Sequence, residues 1–147
     1  MAKNKGVTLV ELLIVITVFV IIFILLTPLV DMMRSRANMI NCSNNIRLIS
    51  LALYTYAADH DEAFPPDLKS LYPVYIKEEK VFRCPAAGST ETAGGCDYEY
   101  AAGLTIRSSP TEVIVYDRPG NHKKKGRNIL RVNGSVGWVQ GIEGKPE

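Results

Sequence analysis

The stretch KNKGVTLVELLIVITVFVIIFILLTP, Lys3 to Pro28, decides how the whole chain is read. From Val7 to Val30 the clearly polar side chains are Thr8, Glu11, Thr17 and Thr27 alone. About twenty such residues cross a hydrocarbon core as a helix, so this run is expected to span a bilayer. A secretory signal peptide has a shorter apolar part, about 7 to 15 residues, followed by a small-residue cleavage site, and neither feature is present. Glu11 is the anomaly. A carboxylate in mid-membrane costs roughly 2.5 to 3.5 kcal/mol on insertion scales, so its presence inside an apolar run points to a use.

Outward from this run, 147 residues leave room for one modest globular domain after it. The formal net charge of +2 is too small to imply a nucleic-acid or acidic partner. Lys3 and Lys5 before the run nearly balance Asp31, Arg34 and Arg36 after it, so flanking charge alone does not orient the span. The short N-terminal stub, and the placement of Cys42, Cys84 and Cys96 after the span, favour the amino terminus inside and the remainder in an oxidising compartment.

Lys5-Gly6 followed by Val7-Thr8-Leu9-Val10-Glu11-Leu12-Leu13 resembles the cleavage and methylation signal of type IV prepilins and type II secretion pseudopilins. The resemblance implies a leader of residues 1–6, cut after Gly6 on the cytoplasmic side by a prepilin peptidase that also methylates the new terminus at Val7. It implies that Glu11, five residues into the mature chain, serves assembly, and that Pro28 occupies the position of a helix-kinking proline. Val7 stands where the family more often has an aromatic residue. The implied partners are other copies of this chain and related pilins in a helical filament, the peptidase, an inner-membrane assembly platform and the membrane itself. No nucleic acid is expected. The implied location is the bacterial inner membrane, single pass, with a head in the periplasm or outside the cell.

Electrostatics gives this reading a reason. Cleavage after Gly6 would release the Val7 amine inside the apolar layer, where a carboxylate from a neighbouring subunit neutralises both groups. The competing reading has Glu11 reach back to the headgroups, since it lies only about 6 Å along a helix from Val7.

Residues 7–30 are therefore expected to form the transmembrane and filament-core helix, and residues 31–147 the head. Met39, Cys42, Ile46, Ile49, Leu53 and Tyr56 recur at steps of three and four, predicting that the helix continues to about residue 58, on the order of 75 Å in all. Pro28 removes a backbone donor, so a bend or local unwinding is expected there. The segment DHDEAFPPDLKSLYPVYIKEEKVFRCP reads as helix exit, loop, short helix and strand, with Asp67 capping a turn that ends before Pro73. Strands are expected at Tyr98 to Ala101, Glu112 to Tyr116, Ile129 to Val132 and Ser135 to Val139, the last two joined by the hairpin signal Asn133-Gly134. The sheet needs cover on one face, and the stripe on residues 39 to 57 is the available partner. The expected fold is α+β and pilin-like, a long helix on a small antiparallel sheet. SNNIRLISLALYTYAADHDEAFPP and VFRCP also resemble pseudopilin-type sequences, although relatives of that kind often carry Asp-Gly where this chain has Asn133-Gly134.

Sites of chemistry are sparser. Asp59, Asp61 and Glu62, with His60 among them, offer oxygen ligands for calcium, though without EF-hand spacing. His122, Lys123, Lys124, Lys125 and Arg127 form a basic run, a possible anion contact or a solvated turn. Three cysteines permit three pairings. Cys84 with Cys96 closes a loop worth about 3 kcal/mol and comes first; Cys42 with Cys84, or a free Cys42 in the core, are the alternatives. No nucleophile signature or Gly-rich phosphate loop is present, so no enzyme activity is expected. The expected role is a structural filament subunit, most closely a secretion pseudopilin. The alternatives are a monomeric membrane-anchored ligand-binding domain and a DNA-uptake or adhesive pilin.

Overall fold

The computed structural model describes residues 8–87, 95–122 and 126–141. The chain divides into two compact units between Arg36 and Ala37, and each is taken by itself.

Helix α1 runs Leu9–Asp59 and contributes to both units. Within the first unit every described residue from Thr8 to Arg34 is exposed. It is, among the described residues, the one helix long and apolar enough to cross a membrane. The helix is unbroken through Pro28, so the unwinding expected there does not occur. A helix tolerates the lost donor when the turn above and below is held by its neighbours, and Thr27 Oγ1 adds a bond to the Phe23 carbonyl at 2.7 Å.

In the second unit the helix has a different character. Cys42, Ile46, Ile49, Leu53 and Ala57 form a fully buried row at helical spacing, while Ile40, Leu48 and Leu51 remain exposed. Each buried aliphatic side chain contributes roughly 1.5–3 kcal/mol. The helix ends where Asp61 and Glu62 take left-handed backbone angles (φ 49° and 64°), and the Glu62 N–H closes back on the Ala57 carbonyl at 2.9 Å. Pro65 and Pro66 then prevent any resumption.

The connection to the sheet contains two short 3-10 helices, Leu68–Leu71 and Glu79–Phe82. The first is capped as expected, Asp67 accepting from the Ser70 N–H at 2.8 Å. The second replaces the strand expected at the end of this segment. Val81 and Phe82 are both buried in this turn.

Four strands follow: β1 Tyr98–Tyr100, β2 Val113–Asp117, β3 Arg127–Arg131 and β4 Val136–Val139. They pair antiparallel in chain order, a meander. Val113 faces Arg131 and Val115 faces Leu130, leaving Ile114 as the extra residue of a bulge. The bulge lets Ile114 and Val115 both enter the main core with the α1 row, while Val113, Tyr116 and Ile129 make a smaller apolar patch. The Asn133-Gly134 turn joins β3 to β4, with Gly134 at φ 81° and its N–H on the Arg131 carbonyl at 2.9 Å. The Tyr54 hydroxyl donates to the Val132 carbonyl, tying helix to hairpin. Helix on sheet in an α+β, pilin-like arrangement is thus the architecture expected.

Candidate functional site

Two places in the chain concentrate polar chemistry in apolar surroundings. The first is the start of α1. Thr8 Oγ1 accepts from the Glu11 N–H at 3.2 Å, and the Thr8 carbonyl takes the Leu12 N–H at the same distance. Thr8-x-x-Glu11 is the spacing of a capping box, in which an acidic residue in the first turn also favours the helix dipole. This local arrangement was legible in the sequence as T-x-x-E. Gly6 and Val7 lie outside the described residues, so the structure does not address the processing junction.

The second place is inside the head. Cys42 comes from the buried row of α1, Cys84 from the turn after Glu79–Phe82, Asp117 from the end of β2, and His122 from the loop between β2 and β3. Their ligand atoms all lie within 4.8 Å of one another, and all four residues are buried. Cys42 Sγ is 2.9 Å from Cys84 Sγ and 2.8 Å from Asp117 Oδ1. His122 Nε2 is 3.0 Å from Asp117 Oδ2 and 3.6 Å from Cys84 Sγ.

A surrounding layer holds these groups in place. Asp117 Oδ2 accepts from the Asn128 N–H at 2.7 Å and from Asn128 Nδ2 at 2.9 Å. The Cys84 N–H donates to Asp97 Oδ2 at 2.9 Å. The Tyr98 hydroxyl lies 3.4 Å from Cys42 Sγ, and the His122 ring packs edge-on against Trp138 at 5.3 Å. Gly126 is required beneath that tryptophan. It sits at φ 144°, and a Cβ there would run into the Val139 carbonyl and stand 2.9 Å from the indole ring.

The electrostatics are those of mutually dependent groups. The hydrogen bond from Cys42 draws the Cys84 thiol down to about 6, against its burial. Cys42 is held well above the ordinary thiol value, by that same bond first and by burial second. Burial pulls the His122 imidazole down, but Asp117 and Cys84 together outweigh it and hold the group up at about 9.

Several expectations change here. The first-ranked pairing of Cys84 with Cys96 is replaced by proximity of Cys84 to Cys42, because Cys84 turns inward onto the helix while Cys96 Sγ donates to the Tyr98 carbonyl at 3.5 Å. All three cysteines are unbridged. The acidic set at the helix end is dispersed: Asp59 accepts from the Tyr75 hydroxyl at 3.0 Å, Glu62 pairs with Arg107, and His60 stacks on Tyr56 at 3.8 Å. The basic run also loses members, since His122 is buried and Arg127 is buried with its guanidinium 5.7 Å from the Tyr116 ring centre. Lys123, Lys124 and Lys125 lie outside the described residues. Sequence reasoning singled out Cys42, Cys84 and His122 separately, for other reasons, and missed Asp117, which reads as the end of an ordinary buried strand.

Comparison with known proteins gives one positive finding. Residues 1–27 match the family model described as the prokaryotic N-terminal methylation motif. The chain carries a prepilin-type signal. This is the cleavage and methylation signal of type IV pilins and pseudopilins, and it is a structural processing motif, not the mark of an enzyme family. No curated protein and no solved structure matches the chain significantly. A prepilin-type signal over one apolar helix accords with membrane anchoring and with a substrate of prepilin peptidase.

Proposed function

We propose that this chain is a structural subunit of a type IV pilus-like filament, most closely a type II secretion pseudopilin, cut after Gly6 and assembled through its N-terminal helix. The observation that carries the reading is Glu11 in its setting: a carboxylate within a processing motif, on a helix whose described residues from Thr8 to Arg34 are all exposed and mostly apolar. Lipid covers that surface in the membrane, and neighbouring copies cover it in a filament. The Val7 amine freed by cleavage is a fitting partner for the Glu11 carboxylate, and pairing between subunits would set the axial register.

Two further features support a filament subunit. Ile40, Leu48 and Leu51 continue an exposed apolar face onto the second half of α1, on the side away from the sheet. Among the described residues the sheet of the head has four short strands, which favours the pseudopilin side of the family over pilins with elaborated heads. The amino terminus lies in the cytoplasm and the head outside the inner membrane, where the assembly platform adds subunits to the growing base.

Intact mass of the membrane-extracted protein, from cells that co-express a prepilin peptidase, tests this. The expected result is loss of Met1 through Gly6 with one added methyl. An unprocessed chain beside an active peptidase would overturn it. Glu11→Gln is then expected to insert and be processed normally but to fail in filament formation, whereas a monomeric anchored domain would be indifferent to the change.

A further inference from the structure

We propose that Cys42, Cys84, Asp117 and His122 form a closed, four-ligand site for a zinc-type divalent cation, which fastens the helix of the head to its sheet. The inference stands on the head alone and does not depend on the filament reading.

The donor set is that of a structural zinc site. Two thiolates, an imidazole nitrogen and a carboxylate oxygen suit a borderline-soft, four-coordinate ion, and they are a poor set for calcium or magnesium, which take oxygen ligands. The ligands come from four separate segments, with Cys42 and Asp117 75 residues apart, so one ion would cross-link most of the head. Every one of them is buried, Asp117 at 0% and Cys42 at 0% exposure. Four buried protein ligands make the set a structural one; catalytic zinc keeps a position for water.

A disulfide between Cys42 and Cys84 is the competing use of the sulfurs. Their separation of 2.9 Å lies between the two chemistries, about 2.05 Å for a disulfide and about 3.8 Å for two sulfurs on one tetrahedral ion. The other two residues decide. A disulfide would leave His122 paired with Asp117 Oδ2 alone and Asp117 Oδ1 facing a sulfur that no longer carries a proton. A cation uses all four. It also accounts for the second layer: Asn128 gives two hydrogen bonds to Asp117 Oδ2, and the Cys84 backbone is fixed by Asp97, the kind of support that orients metal ligands. On binding, the thiol protons leave to solvent and the sulfurs bind as thiolates.

The test uses the full chain in detergent, reduced, freed of metal by chelation and then given zinc or cobalt(II). About one zinc per chain is expected after removal of excess. Cobalt is expected to give the visible bands of a four-coordinate ion together with a near-ultraviolet thiolate charge-transfer band. Cys96→Ser should bind as the parent does, and His122→Gln and Cys42→Ser should lose the cobalt spectrum. Asn128→Ala leaves all four ligands in place and should weaken zinc affinity by roughly 10–100-fold. The proposal is overturned if the reduced parent chain takes up no metal, if cobalt binds without the thiolate band, or if His122→Gln and Asn128→Ala bind zinc as tightly as the parent. Isolation of the protein from its oxidising compartment with a Cys42–Cys84 disulfide, 2 Da lighter on intact mass and metal-free, would equally overturn it.

Discussion

Ile46 and Ile40 occupy the same helix six residues apart, yet Ile46 is 0% exposed against the sheet and Ile40 is 62% exposed. Ile46→Ala removes three buried carbons from the row that joins α1 to Ile114, Val115 and Leu130. For an aliphatic side chain so fully enclosed the cost is about 2–4 kcal/mol, transfer and cavity together. Spread over a head of roughly 100 residues, at about 4–8 °C per kcal/mol, the melting temperature should fall by at least about 8 °C. Ile40→Ala, which uncovers nothing, should stay within about 0.5 kcal/mol. The single tryptophan, Trp138, lies on β4, so its fluorescence during heating in detergent follows the head without interference from the membrane segment. Equal shifts for the two variants, or a smaller shift for Ile46→Ala, would refute the helix-on-sheet core. The same pair separates folding from assembly: if the exposed face meets neighbouring subunits, Ile40→Ala reduces filament yield while leaving the melting curve where it was.

Three other outcomes follow from local geometry. Gly126→Ala forces a side chain into the Val139 carbonyl and the Trp138 ring from a left-handed backbone, and should destabilise the head by more than about 1 kcal/mol, read by the same melting curve. Asp67→Ala removes the acceptor for the Ser70 N–H and should cost about 1 kcal/mol in chemical denaturation, with Asp67→Asn recovering most of it. The Arg107 guanidinium hydrogen-bonded to Glu62 holds that carboxyl below its ordinary value of 4.5, so the pair stabilises the fold above that pH and is lost as pH falls through the depressed value. Arg107→Ala should return Glu62 to the usual carboxylate range in an NMR titration, and an unchanged midpoint would dismiss the pairing.

Much of this architecture was legible because it rests on periodicity. The row Cys42, Ile46, Ile49, Leu53 repeats at helical steps, and Asn133-Gly134 between β-branched runs marks a hairpin, so the helix and all four strands could be placed within a residue or two. The segment Glu79–Phe82 was misread because β-branched and aromatic residues there suggested extension, whereas core space dictated a turn. The cluster in the head was opaque for a different reason. Cys42, Cys84, Asp117 and His122 follow no period and no motif spacing; only the folding of helix, turn and strand end onto one another brings them together. Glu11 was visible as a charge out of place, but its partnership with Thr8 needed attention to the three-residue step as well as to the membrane.

The bond between the Tyr54 hydroxyl and the Val132 carbonyl spans 78 residues of chain. At about 5–20 residues per second, a ribosome makes the apolar row of α1 roughly 4–16 s before it makes the strand edge that receives it. For that interval the newborn head holds only part of the cover for that row, since Leu71, Phe82, Ile114 and Val115 are made earlier and Leu130 and Val132 last. Its solubility then depends on whatever shelters the rest, and a chain stopped before Val113 lacks the sheet side of that core for good.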